Sequence, residues 1–487
     1  MAYLRSVKQV DLPTKEGAFL PPLLYGSYEH ATQLEHPLSE RKRMRLSGLA
    51  GSARSLVLAR LRHAAPLIVL MRDEERAGYL YADLEGLLGA DAVLFFPSAY
   101  RRAIRYGHRD EASTLLRSMV LSSLYSDAKR GQSRLPIIVT YPEALIESVP
   151  RDEAQAEDTF IIQRGELLDR DELRDKLLSW GFERMDYVYE PGQFAIRGSI
   201  FDIYSFTSEL PYRLDFFDDE VESLRRFEVD SQLSVETLQE LVLSPDLARS
   251  EGGRASLLSL LPEGTQLALE GRNALLPRLE ATWDEAPILQ DGEGFADLEA
   301  LRRALVEPQS LLAELAALPQ YELVADSTDA DLVFHTTAQP LFHKDYDALC
   351  EQIRSWQSGG YSVWLSAGSD TAYERVTDIL SGRLPEALMP QRTSLTLHEG
   401  FVDEDNRWVL LTEHELFDRY HKYSLRSDKA TAGKVTLSLK ELQSFQRGDL
   451  VVHADHGIGR FDGLVTMEQQ GRTQEFVKLI YRNNDSI

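Results

Sequence analysis

The sequence predicts a multidomain protein of mixed α/β and α+β class, and three observations carry that prediction. Its 487 residues exceed one ordinary domain and point to about three or four. Short apolar runs alternate with helix-period stretches through residues 1–149, the rhythm of a parallel α/β layer. From residue 150 the pattern changes to polar/apolar alternation broken by turn residues, which reads as α+β.

The elements follow in order. Gly48, Leu49, Ala50, Gly51, Ser52, Ala53, Arg54 and Ser55 form a loop before a helical stretch at 53–62. Residues 66–71 (PLIVLM) read as a buried strand. Asp73 caps an acidic-started helix that runs to Leu88 and stops at Gly89. Residues 92–96 and 135–140 are further strands. Residues 170–180 have helical period, and residues 187–204 are β-rich with turn glycines. Residues 212–217 and 221–229 alternate around Asp218-Asp219, an antiparallel hairpin. Residues 233–340 read as mostly helical with short strands at 266–269 and 331–334. A small α/β unit follows, with helices at 346–358 and 370–380 and strands at 362–365 and 408–411. Residues 424–433 are small, polar and charged, so they read as a linker. The last unit is strand-rich, the pattern of a small β-barrel or meander. It reaches Ile487 without a closing strand signal, which predicts a chain cut within a domain.

Composition narrows the function. Hydrophobic content of 43% and charged content of 27% are those of globular protein. No apolar run approaches the ~20 residues of a membrane span. The single cysteine, Cys350, excludes an internal disulfide framework and fits a reducing compartment. A net charge of −25 opposes unaided binding to a phosphate backbone. Arg41, Lys42, Arg43 and Arg45 form a local basic cluster, and Arg101, Arg102, Arg105 and Arg109 share a helical spacing. Solvated faces balancing acidic neighbours are the favoured reading of both.

The 48–55 loop is close to the phosphate-binding pattern G-x-x-x-x-G-K-[ST], whose backbone N–H groups cradle phosphates and whose Lys reaches them. Here Ala53 replaces the second Gly and Arg54 the Lys, while Gly48 and Ser55 remain. Ala53 disfavours a left-handed backbone, and a guanidinium lacks the compact charge of an ammonium. The shape of a nucleotide fold without its chemistry is one reading. A plain Gly/Ala/Ser turn before a helix outweighs it on this motif alone.

Other constellations reduce to structure. His453, Asp455 and His456 have metal-ligand types, but strand alternation separates them and no second cluster completes a site. Asp215, Asp218, Asp219 and Glu220 read as hairpin-turn carboxylates. No nucleophile elbow, zinc-protease helix or general base for water attack on a nucleotide follows. Arg184 and Arg197 differ. Counting along one strand places Phe201 on the face of Arg197, and Arg with an aromatic is the chemistry of a protein-binding hot spot. A core Phe beneath a surface Arg is an equal reading.

Residues 209–220 (ELPYRLDFFDDE) with 227–232 (FEVDSQ), and residues 448–460 (GDLVVHADHGIGR), strongly resemble the bacterial transcription-repair coupling factors (Mfd). The resemblance covers essentially the whole chain and is weakest across 233–400. It implies a body like that of the excision-repair protein UvrB at 1–149 and 233–340, with 48–55 as its degenerate P-loop. It implies an inserted domain at 150–232 that binds the excision-repair protein UvrA. A small α/β domain at 341–425 and a linker at 426–444 come next. Residues 445–487 are the start of a CarD-like module that binds RNA polymerase, a partial β-barrel.

Carried over residue by residue, UvrA contact falls on Arg184, Arg197 and Phe201, and polymerase β-subunit contact on Met467. Ala195 stands where UvrB has Arg, which weakens one contact. The family's ATPase translocase is not in this sequence. The resemblance therefore implies no catalytic residue, metal or cofactor here. ATP, Mg²⁺ and DNA belong to that motor, and the setting is the cytoplasm without a membrane. The resulting expectation is a non-catalytic adaptor in transcription-coupled excision repair. The alternative is a true nucleotide enzyme with Arg54 in place of Lys; a DNA-binding module is disfavoured by charge.

Overall fold

The computed structural model describes residues 43–62, 64–99, 111–130, 136–151, 160–229, 231–243, 253–288, 304–325, 328–393, 395–419, 447–453, 457–469 and 472–481, with 34, 38, 245, 423 and 425. Arg101, Arg102, Arg105 and Arg109, the linker at 426–444, Asp455 and His456 lie outside these residues. The chain divides into two compact units, Met1–Ala430 and Thr431–Ile487.

The first unit is built on a seven-stranded, all-parallel sheet. Its order is Leu332–Val333, Arg43–Ser47, Gln320–Val324, Gln266–Glu270, Leu67–Leu70, Ile137–Thr140, Val93–Phe96. Strands LIVL, VLFF and IIVT are buried throughout, as a parallel sheet covered on both faces requires. The Asp73 side chain accepts from the Arg76 amide and starts the helix Glu74–Leu88; Gly89 ends it at φ +86°.

Strands from before residue 150 and after residue 265 share this one sheet. The intervening chain leaves and returns through a short antiparallel pair, Val149–Pro150 with Arg254–Ala255. Between these ends lies a six-stranded sheet, in order Ser234–Leu238, Glu220–Phe227, Tyr212–Phe217, Ile200–Tyr204, Gln193–Arg197, Glu183–Arg184. The hairpin 212–227 turns at Asp218, whose φ is +53°. Residues 233–243, expected in the helical body, instead form strands. Ser234–Leu238 pairs with Glu220–Phe227, and Glu240–Leu243 pairs with Phe160–Gln163. Helical counting failed there because Leu241 and Leu243 alternate into the inserted core, a period of two.

The small α/β region carries a five-stranded sheet, in order Thr336–Ala338, Phe401–Asp403, Trp408–Thr412, Ser362–Ser366, Gln391–Thr393. It therefore starts before residue 341. One sheet face, with Val363, Leu365, Val409 and Leu411, meets the helices Tyr346–Ser358 and Asp370–Ser381. Trp364, Phe401, Trp408 and Leu410 join the core of the seven-stranded sheet. Buried Cys350 belongs to the helical side of this layer. The second unit is an antiparallel meander, Leu450–His453, Gly457–Gln469 and Arg472–Ile480.

Candidate functional site

The 48–55 loop follows strand Arg43–Ser47 and ends in helix Ala53–Leu61. Gly48 and Gly51 hold φ of +74° and +53°. A Cβ on Gly48 would stand 1.8 Å from the Phe334 carbonyl oxygen, so only glycine fits. Ala53 is the first helical residue and is buried, so this position needs no left-handed backbone. The expected penalty for its Cβ is absent.

Arg54 spans three acceptors. It donates to Gly51 O at 3.0 Å, to Glu270 at 3.3 Å and to Glu399 at 3.1 Å. Arg76 meets the same Glu270 oxygen at 2.8 Å. Ser55 Oγ donates to Asp83 at 2.7 Å. Burial pushes the Asp83 carboxyl up to about 6, against the lowering by its Ser52, Ser55 and His398 hydrogen bonds. The loop's hydroxyl and cation are thus committed to protein carboxylates.

The inserted six-stranded sheet has two unlike faces. Phe194, Phe201, Ile203, Leu214 and Leu224 form a core with Leu173 and Leu177 of helix Arg170–Ser179. The opposite face carries charge in register. Ala195, Asp202, Arg213, Arg225 and Thr237 stand side by side across five strands. Asp202, 1% exposed, accepts from Arg213 at 2.7 and 2.9 Å and from Arg197. Asp215 accepts from Arg225 and from Ser223 Oγ. The Arg197 guanidinium lies 4.3 Å over the Tyr187 ring, and that of Arg213 4.0 Å over Phe227. Ala195 is fully buried in a small cluster with Val188, Tyr204 and Phe227.

The three residues expected to act together are separated. Residues 198 and 199 turn the chain, so Arg197 pairs with Ile200 and Phe201 pairs with Ile196. Counting four residues as one strand gave Phe201 the wrong face. It is 0% exposed and stacked on Phe194 at 5.7 Å. Arg184 is exposed on the edge strand beside Phe194, so alternation sends it to the face opposite Arg197. Met467 lies on strand Gly457–Gln469 opposite Gln474. Asp202, Arg213 and Arg225 were missed by sequence reasoning. Their signal was present as single charges at alternate positions of apolar strands, in IFDIY, YRLDFF and EVESLRRF.

Among the described residues, no group of three His, Cys, Asp or Glu side chains is placed to hold a metal ion. No helix among them is long and apolar enough to cross a membrane.

Comparison with known proteins gives the setting. A family model described as the UvrB interaction domain matches residues 160–248. One described as the CarD-like/TRCF RID domain matches residues 445–487. The chain is similar to transcription-repair-coupling factors from Bacillus subtilis (26% identical, 92% of this chain), Myxococcus xanthus (28%, 93%) and Escherichia coli (25%, 93%). It spans 44%, 45% and 44% of their respective lengths. With both domain matches in order and alignment along more than nine tenths of its length, the chain is similar to part of the transcription-repair-coupling factors.

Proposed function

We propose that the chain is a docking component of transcription-coupled excision repair. Its inserted domain binds UvrA and its residues 445–487, the first part of a small barrel, bind the RNA polymerase β subunit. The observation that carries this reading is the charged sheet face inside the matched interaction domain. There Arg197 is partly exposed over Tyr187 while its partner Asp202 is buried. A guanidinium held by a buried carboxylate is pre-organised, so less rotamer entropy is lost on binding.

Arg197 is the contact residue of this reading, with Arg184 at the sheet edge as a second contact. Phe201 supports the face from behind. Met467 marks the polymerase contact. The 48–55 loop is a degenerate P-loop in a UvrB-like body at 1–149 and 233–340, and it contributes scaffold rather than chemistry. The reading assigns no cofactor to these residues and a cytoplasmic setting. Displacement of stalled polymerase by ATP-driven movement on DNA is assigned to a motor outside this sequence.

Titration calorimetry of the chain with UvrA tests the reading. Arg197→Glu places a second carboxylate beside Asp202 and reverses the charge offered to the partner, so binding should be lost. Unchanged affinity in a variant with a native melting curve refutes the assignment.

A further inference from the structure

We propose that the 48–55 loop is a site for a carboxylate-bearing peptide, and that its occupant is the chain's own segment 398–400 from the small α/β layer. Glu399 sits at the rim of the loop, where its carboxylate takes the Arg54 guanidinium and its main-chain carbonyl takes the Ser52 amide.

Three consecutive residues of the segment are bound. The His398 amide donates to Asp83 at 2.7 Å, the Glu399 amide to Ser52 Oγ at 3.0 Å, and the Gly400 amide to Glu415 at 2.6 Å. The loop answers in kind. Its Ser52 amide donates to the Glu399 carbonyl at 3.2 Å, and Arg54 donates to the Glu399 carboxylate at 3.1 Å. The two segments thus exchange a reciprocal pair of bonds at Ser52 and Glu399, topped by a charge-assisted one. The Tyr79 ring stacks on His398 with centroids 3.5 Å apart and planes 9° apart.

The shape of the loop agrees. A Cβ on Gly51 would stand 2.5 Å from the Gly400 carbonyl oxygen. The close approach that glycine permits is used by protein backbone. Gly400 is held from its other side as well, where a Cβ would meet Gln339 Oε1 at 2.0 Å and Leu410 O at 2.6 Å. The segment therefore cannot slide off without moving the sheet that carries it.

The replacement of Lys by Arg at position 54 acquires a reason. The guanidinium uses a different nitrogen for each partner, Nε for Gly51 O and its two terminal nitrogens for Glu270 and Glu399, a spread that a compact ammonium lacks. Ser55, the hydroxyl of the pattern, is turned to Asp83, the same carboxylate that holds His398. A phosphate drawn to Arg54 would compete with the Glu399 carboxylate and be repelled by it. Phosphate binding and docking of the segment therefore oppose one another at Arg54, and the loop works as a latch between the seven-stranded sheet and the small α/β layer.

Hydrogen exchange of the whole chain tests this. In the wild-type protein the amides of 398–400 should exchange slowly, with no change on adding millimolar ATP. Arg54→Ala should speed their exchange roughly tenfold. Glu399→Gln, which keeps the backbone bonds and removes only the ion pair, should speed it about threefold. Strand Gln266–Glu270 should keep its protection in both. Unchanged protection at 398–400 in both variants overturns the latch. So does ATP that raises the melting temperature of the wild type while the segment stays protected, because ligand and segment would then share the loop.

Discussion

Phe201→Ala separates a contact residue from a supporting one. The side chain is 0% exposed, stacked on Phe194 at 5.7 Å and near Phe216 at 6.5 Å. Truncating a buried Phe costs about 3–5 kcal/mol through lost transfer energy and the cavity left behind. A domain of this size is stable by roughly 5–10 kcal/mol, so the variant should lose about half of that. Arg197→Ala is the counterpart. Asp202 keeps both bonds from Arg213, at 2.7 and 2.9 Å, so Asp202 is not orphaned and the cost should stay near or below about 1 kcal/mol. The assay is urea-dependent hydrogen exchange of strands Gln193–Arg197 and Ile200–Tyr204, alongside UvrA binding at two temperatures. Phe201→Ala should weaken binding in proportion to the unfolded fraction and recover on cooling. Arg197→Ala should weaken binding with the strands fully protected. If Phe201→Ala keeps its stability yet loses binding at both temperatures, the strand register that buries Phe201 is wrong.

Asp202→Ala should destabilise the inserted domain by about 3–5 kcal/mol, because Arg213 is left 12% exposed and without its carboxylate; a urea midpoint equal to wild type would refute this. Asp83 gives a pH dependence with a definite sign. Its folded value is raised from 3.8 to about 6, so its contribution is full below pH 4 and is lost as pH rises through 6. The loss totals on the order of 3 kcal/mol at about 1.4 kcal/mol per unit. The groups facing it are the Ser52 and Ser55 hydroxyls, the His398 amide and the Glu399 carboxylate. Asp83→Asn should flatten that slope between pH 4 and 6 in urea titrations, and an unchanged slope would show that Asp83 does not titrate there.

Part of the parallel body was legible because three of its strands, LIVL, VLFF and IIVT, are short, nearly unbroken apolar runs and its helix Glu74–Leu88 carries local signals. Asp73 and Gly89 bracket a helix by hydrogen bonds made within one turn, so residues near in sequence suffice to predict it. The hairpin at Asp218-Asp219 was legible for the same reason. Residues 233–243 were not, since a leucine-rich stretch reads equally as helix until a partner strand is present. The site divided along the same line. Arg184 and Arg197 could be singled out as residues, but their faces depended on where the chain turns.

By itself the sequence determined the chemistry available at each place. It showed that position 54 is Arg and not Lys, that position 53 is Ala, and that acids abound over bases. Those are covalent facts, and their consequence for phosphate follows from charge and shape. Only the tertiary structure decided what the chemistry is used for. Arg54 meets Glu399 across 345 positions of chain. Asp202 gathers Arg197 and Arg213 from neighbouring strands, and a two-residue turn puts Phe201 behind the face instead of on it. Contacts of that kind depend on register and on packing between layers, which no local pattern specifies.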